Sequence, residues 1–374
     1  MLPIFFYLSS LVINILTSIF SPYFISYYGH FSHPKTLLFY SNLPHWIVSK
    51  ANFDGIFYLR IAQNGYSQFE QAFFPLYPFL IKSLSPIFAN NLLITGLVIS
   101  NACFVVGLFF FKKYLDLILK DKKTVLWSLI FFIFFPTAFF FTSLYTESLF
   151  FLFTICFFYF LKKEKFLATF IFGFLAAVTR FIGVFLFVPP IIYLIMKKTK
   201  EKKIRPFVFP MMGPAIGLAA YSFYLYKTTG DFLAFFHSQT AFLAGRSTSI
   251  ILFPQIYYRY LKIFISVPWG MNYFVAILES AIFTAVFFTL AYFIYKNFKS
   301  VDLTALNSFS LLNILIPTLT GTFLSIPRFA LLSLGFFVFL AQMKNDSLKI
   351  LILIVFILLQ VVLLAFFTQG YFMS

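Results

Sequence analysis

Residues 92–111 read LLITGLVISNACFVVGLFFF, twenty consecutive positions without a charged side chain. A helix crosses the hydrocarbon core of a bilayer in about 20 mainly apolar residues, and its backbone polar groups must be satisfied internally there. The stretch has that length, and Lys112-Lys113 closes it at one end. Outward from it, comparable apolar runs fall at Pro3–Phe24, Val125–Phe141, Ser148–Leu161, Phe166–Met196, Pro206–Tyr226, Met271–Tyr295, Leu303–Phe323, Phe329–Met343 and Ile350–Phe367. The Phe166–Met196 run is 31 residues, too long for one upright crossing, and its interior Thr179-Arg180 predicts two short helices meeting at the far surface. The expectation is an all-α polytopic membrane protein with eleven crossings, a single domain over residues 1–374, and termini on opposite sides. Met1–Phe24 has neither a basic leader nor a small-residue cleavage site, so it reads as an uncleaved helix.

Composition agrees. The chain is 61% hydrophobic and 10% charged, whereas soluble domains carry about a quarter of their residues as charges. Its +17 net charge would point to nucleic acid on a soluble chain, but here the basic residues report topology. The short loops 112–123, 162–165, 197–205, 296–302 and 344–349 hold 18 of the 28 Lys and Arg residues. The two long loops, 25–91 and 227–270, hold eight. By the positive-inside rule the short loops are cytoplasmic and both long loops are extracytoplasmic, with helices at the membrane interface. Cys103 and Cys156 lie in apolar runs and suggest neither a disulfide nor a metal cluster.

Chemically capable side chains gather in or beside the long loops: all four His, with Asp54, Glu70, Glu147 and Asp231. Around Asp54 the sequence FDGIFYLRIAQNGY (53–66) spaces its apolar residues as a short interfacial helix, with Asp54 at the start and Gly65 at the end. Asp54 therefore reads either as a helix-capping acid or as a lone carboxylate at the bilayer surface, available as a general base. Arg180 and Arg328 interrupt or border apolar runs, reading as snorkelling cations or as phosphate ligands. Glu147 is equally a helix N-terminal acid or a catalytic or acceptor-binding group, and Asp231 an N-cap or a substrate contact. Glu279, deep in the Met271–Tyr295 run, reads as a neutralised acid rather than a functional one. His30 and His33 form His-x-x-His, but Gly29 and Pro34 argue against the rigid helix that two metal ligands would need.

Taken in order, these pieces resemble the PIG-V family of GPI mannosyltransferase II and its bacterial relatives, within the GT-C glycosyltransferases. Phe53-Asp54-Gly55, Tyr58-Leu59, Ile61-Ala62 and Gly65-Tyr66, followed by AFFPLYP (72–78), resemble the family's first outer loop. Phe135-Pro136-Thr137 with Tyr145-Thr146-Glu147-Ser148 is similar to its Pro-containing helix and Tyr-Ser-Glu-Ser segment. Thr179-Arg180 with Gly183, Gly230-Asp231 with Ala234-Phe235, Pro327-Arg328-Phe329 and Gly370-Tyr371-Phe372 complete the series. Phe53 replaces the family's usual Trp and Phe232 its usual Pro.

The resemblance implies an inverting mannosyl (or similar hexosyl) transferase. It would use a polyprenyl-phosphate sugar as donor and a hydroxyl of a lipid-linked glycan, glycolipid or protein as acceptor, on the extracytoplasmic side. Asp54 would be the general base. Arg60, Arg180, Arg328, Glu147, Asp231, Tyr58 and Tyr77 would bind donor phosphate or substrate. No cofactor is required, although a Mg²⁺ or Mn²⁺ on the donor phosphate is compatible with this chemistry. The short loops and the Phe/Lys bias favour a bacterial plasma membrane over an endoplasmic reticulum. The contrasting class is a lipid or solute transporter or flippase. Such proteins often show paired, interrupted repeats, whereas this chain has one interrupted run and no convincing repeat. Membrane lipids are partners in either case, and nucleic acid drops out.

Overall fold

In a computed structural model the described residues are 2–40, 42–197, 205–242 and 245–373. They form helices and turns, with no strand among them. Among the described residues, six helices are long and apolar enough to cross a membrane: Pro3–Phe24, Leu92–Ile118, Phe207–Thr229, Met271–Lys296, Val301–Thr318 and Asp346–Thr368. The expected loop 197–205 lies largely outside the described residues.

The remaining apolar runs are broken up. Val125–Phe141, expected as one crossing, is a helix over Lys122–Ile133 followed by a 3-10 turn over Ala138–Thr142. Between them stands Pro136, which has no N–H and whose ring obstructs the preceding turn. At 1.5 Å per residue the first piece is only about 18 Å long. Irregular backbone at membrane depth is tolerated where protein rather than lipid surrounds it, and Phe131 through Thr142 are buried throughout. The freed groups find partners within the chain: Ala138 N–H donates to Phe135 O at 2.8 Å, and Thr137 Oγ1 to Pro327 O at 2.7 Å. The Phe166–Met196 run divides at Thr179-Arg180 as expected, into Phe166–Ala177, Phe181–Phe187 and Val188–Lys197. The late run resolves into Ile326–Phe329, Ala330–Leu332 and Leu334–Ala341. Hydropathy alone thus counts eleven segments where the described residues have six helices of spanning length and several shorter ones.

The Glu147–Lys162 helix runs through the centre and packs along Leu92–Ile118. Its Phe150, Phe151, Phe157 and Phe158 rings are almost fully buried, and Phe151 meets Phe104, Phe111 and Phe132 edge-on or tilted, which suits aromatic quadrupoles. Around it, Arg205–Thr229 lies on Phe166–Ala177 through a small-residue contact. A Cβ on Gly213 would stand 2.2 Å from Phe170 O, so the helices approach to a distance only glycine permits.

The two ends of the bundle differ. Lys123 pairs with Asp346 and Lys162 with Asp302, each at 2.6 Å. These contacts join loop 112–123 to loop 344–349, and loop 162–165 to loop 296–302, at one end. Glu147 begins the helix that Lys162 ends, 16 residues long, so Glu147 and its neighbours lie at the opposite end.

A candidate active site at the end opposite the basic loops

Asp54 is the first residue of the Asp54–Asn64 helix. The turn that delivers it is held from several sides. Tyr145 Oη donates to Asn52 O at 2.7 Å, and Asn52 Nδ2 donates to Phe367 O at 2.9 Å. Phe53 adopts φ 60 and ψ −116, a conformation costly for a residue with a side chain. Its ring is fixed against Phe31 at 4.7 Å and Phe372 at 5.3 Å. Gly55 lets the helix start settle onto Leu144, whose carbonyl oxygen would lie 3.1 Å from an added Cβ. The aromatic character at position 53 therefore has a structural role: it anchors a strained turn whose next residue is the carboxylate.

Asp54 does not stand alone. Arg328 Nη1 donates to Asp54 Oδ2 at 2.6 Å. The other edge of the same guanidinium, Nε, lies 3.4 Å from Glu147 Oε1. That oxygen also accepts from Arg180 Nη1 at 2.7 Å. Two carboxylates and two guanidiniums thus alternate in a chain: Asp54, Arg328, Glu147, Arg180. Glu147 is 1% exposed, whereas the Asp54 side chain is 29% exposed. Asp54 Oδ1 has no hydrogen-bond partner among the described residues. Aromatic faces hold the cations in place, with Arg180 5.1 Å from Phe329 and Arg328 5.4 Å from Tyr145.

Arg328 is braced through its own loop. Glu279 accepts from Ser325 N–H at 3.3 Å and from Tyr260 Oη, which in turn accepts from Phe323 N–H at 3.2 Å. Asn313 Nδ2 donates to Phe329 O on the other side. Glu279 therefore acts as a strut for the turn before Arg328, a role that its place in an apolar run does not reveal.

The chain of charges forms one wall of a cavity of about 560 Å³. Asp54, Tyr58, Glu147, Arg180 and Arg328 all line it, from four separated segments of sequence. Burial first, and then the charges of Asp54 and Glu147, hold the Tyr58 phenol well above its ordinary range, so it remains a neutral hydroxyl. Phe73-Phe74, Phe235-Phe236 and Phe372 add aromatic surface.

Three expected residues lie elsewhere. Arg60 faces away from the cavity and pairs with the buried Glu70 at 3.1 Å. It stands six residues after Asp54, and at 3.6 residues per turn this places it about 120° round the helix from Asp54. Tyr77 is fully buried behind the site, its hydroxyl bonded to Gly96 O at 3.0 Å and Ser100 Oγ at 2.8 Å. Asp231 caps a short turn, accepting from Leu233 N–H at 2.8 Å and meeting His237 Nδ1 at 2.7 Å. Each makes contacts within the protein, and none lines the cavity. Of the His-x-x-His pair, His30 lines the cavity but His33 does not, and His33 sits in the left-handed region at φ 57. Among the described residues no three His, Cys, Asp or Glu side chains converge as metal ligands.

One cavity residue carries no sequence signal. Arg246, in the second long loop, donates from Nη1 to Gln239 Oε1 at 2.8 Å, and among the described residues its buried Nε has no partner. No carboxylate pairs with it among the described residues. Burial, followed by repulsion from Arg328, pushes its guanidinium down to about 10. In the sequence it is one of three arginines in the two long loops, with Arg60 and Arg259, and no motif marks it.

Chemically, the site combines an accessible carboxylate oxygen with three guanidiniums on one aromatic-lined hollow. Two carboxylates against three guanidiniums leave one formal positive charge, suited to a monoanionic ligand. No curated protein matches the chain. The family model for Mannosyltransferase (PIG-V) matches residues 5–229, which contain Asp54, Tyr58, Glu147 and Arg180. The chain belongs to this family of membrane-bound mannosyltransferases and has a glycosyltransferase role.

Proposed function

We propose that the protein transfers a mannosyl unit, with inversion, from a polyprenyl-phosphate sugar to an acceptor hydroxyl, in the manner of GT-C glycosyltransferases. The observation that carries this reading is the open Asp54 Oδ1 beside a cluster of three arginines. Such a donor is a phosphodiester with one negative charge, which matches the uncompensated charge of the cluster. Arg246 has no acid to release, so it meets the phosphate first. Arg180 and Arg328 are held ready by Glu147 and Asp54 and share their guanidinium forks with the incoming oxygens.

In the transfer step the acceptor oxygen bonds to the anomeric carbon on the face opposite the phosphate. Its proton passes to Asp54 Oδ1. The bond from anomeric carbon to phosphate oxygen breaks with its electron pair remaining on the phosphate. The leaving group gains negative charge, which the guanidiniums stabilise in place. Phosphate is already a good leaving group, so the chemistry calls for a base, an orientation and cations rather than a strong acid. Neutral Tyr58 supplies a hydroxyl to sugar or acceptor at the cavity wall. A divalent cation on the phosphate is compatible with this scheme and not required by it.

The gathering of basic loops at the end away from Asp54 supports a cytoplasmic location for that end. The site then opens on the extracytoplasmic side of a bacterial plasma membrane, and the shorter helices complete the further crossings. The acceptor is a hydroxyl on a lipid-linked glycan, glycolipid or protein. Purified protein incubated with polyprenyl-phosphate mannose and fractionated envelope acceptors should yield a product heavier by one hexose in mass spectrometry. A product whose sugar comes only from a nucleotide donor would rule out the proposed donor class.

A further inference from the structure

A second groove, of about 710 Å³, shares no lining residue with the cavity that holds the charge cluster. Its walls are the first helix, through Tyr7 and Leu11, and the Leu92–Ile118 helix, from Ile94 to Val106. Trp46 and Lys50 close its head. The twelve steps from Ile94 to Val106 rise about 18 Å along their helix. One leaflet of a bilayer has a hydrocarbon depth of about 15 Å, half of the whole core. The groove therefore runs the depth of one leaflet, on the side where Asp54 lies. A Trp at its head suits headgroup depth.

Lys50 is the exceptional residue here. It is 5% exposed, and among the described residues its Nζ has no hydrogen-bond partner. Burial alone pushes its ammonium down to about 7, with no carboxylate acting on it. Every other strongly buried cation described above has an acid or an amide oxygen beside it. Buried ammonium groups are rarely left so. The neighbouring backbone fixes the residue where it is, because Lys50 O accepts from Leu144 N–H at 3.0 Å. Its four-carbon stem is flexible, and the residue itself lines the groove.

We propose that this groove binds one acyl chain of an anionic glycerophospholipid, with the lipid phosphate seated on Lys50. The chain fills the apolar walls over one leaflet, and the phosphate supplies the counter-charge that the protein omits. The one-leaflet length favours an acyl chain over a polyprenyl chain, which is much longer. This site is separate from the sugar-transfer cavity and does not depend on the proposed reaction.

Delipidated protein in detergent, titrated with phosphatidylglycerol, phosphatidylcholine or polyprenyl phosphate and followed by native mass spectrometry, tests the proposal. Wild type should bind one phosphatidylglycerol more tightly than phosphatidylcholine. Lys50→Met should weaken that tightest adduct about tenfold, equivalent to about 1.4 kcal/mol, and Lys50→Arg should retain it. Ala102→Phe, on the exposed wall of the groove, should weaken it with Lys50 intact, which covers the case in which Lys50→Met fails to fold. Unchanged phosphatidylglycerol binding in either Lys50→Met or Ala102→Phe would overturn the site. Polyprenyl phosphate displacing phosphatidylglycerol at equal concentration would overturn the assigned ligand.

Discussion

The Glu147–Arg180 contact is the most measurable part of the charge chain. The two side chains meet at 2.7 Å and are 1% and 13% exposed. At an effective dielectric of about 20, two unit charges about 4 Å apart attract by roughly 4 kcal/mol. Desolvation offsets part of that, so the pair adds little net stability, but removing one member leaves a buried charge and costs about 3–5 kcal/mol. Glu147→Gln keeps the shape and one acceptor oxygen but removes the charge, leaving Arg180 and the Nε edge of Arg328 without their shared anion. Arg180→Gln leaves Glu147 with only the longer 3.4 Å contact to Arg328. The double variant removes both charges, so its loss should fall short of the sum of the singles by about 2–3 kcal/mol. Equilibrium unfolding of the four proteins in mixed micelles gives this coupling directly. A coupling below about 0.5 kcal/mol would mean that the two residues act independently, and the alternating charge chain would be refuted.

Other expectations follow from the same contacts. Arg246→Ala should raise the KM for the phosphate donor roughly tenfold or more, since a hydrogen bond to a charged group contributes about 1.5–3 kcal/mol; steady-state kinetics with varied donor would show it, and an unchanged KM would remove Arg246 from the site. Arg60→Ala should leave the donor KM unchanged while lowering thermal stability, because its partner is Glu70; a selective loss of donor use would reverse that placement. Lys50 gives a pH signature in lipid-free detergent. Its buried amine sheds a proton at about 7 against 10.5 in the open chain. Between these values the unfolded chain binds more protons, so stability should rise with pH across that window. Lys50→Met should flatten the slope in a pH series of unfolding curves, and an equal slope in the variant would contradict the burial of the amine.

Much of the site is legible in the amino-acid sequence, because its members sit in short motifs: Asp54 after Phe53, Glu147 after Thr146, Arg180 after Thr179 and Arg328 after Pro327. Their connections are not. Asp54 and Arg328 are 274 positions apart, and only folding brings one guanidinium to span Asp54 and Glu147. Arg60 misleads because closeness in sequence to Asp54 looks like closeness in space, which helical rotation cancels. Arg246 is hidden for the opposite reason, since a loop arginine without a motif looks like any other. The membrane architecture shows a similar boundary. A hydropathy run such as Val125–Phe141 has the length of a crossing, yet hydropathy does not distinguish lipid from the Phe-rich interior that surrounds a helix broken at Pro136.

The most direct test of the proposed chemistry is mannosyl transfer by Asp54→Asn under single-turnover conditions, with donor binding measured on the same preparation. Asparagine keeps the oxygen that meets Arg328 but cannot take the acceptor proton. Transfer should fall by about 10²–10⁴-fold, with donor affinity close to that of the wild type. Transfer at the wild-type rate would contradict the assignment of Asp54 as the general base.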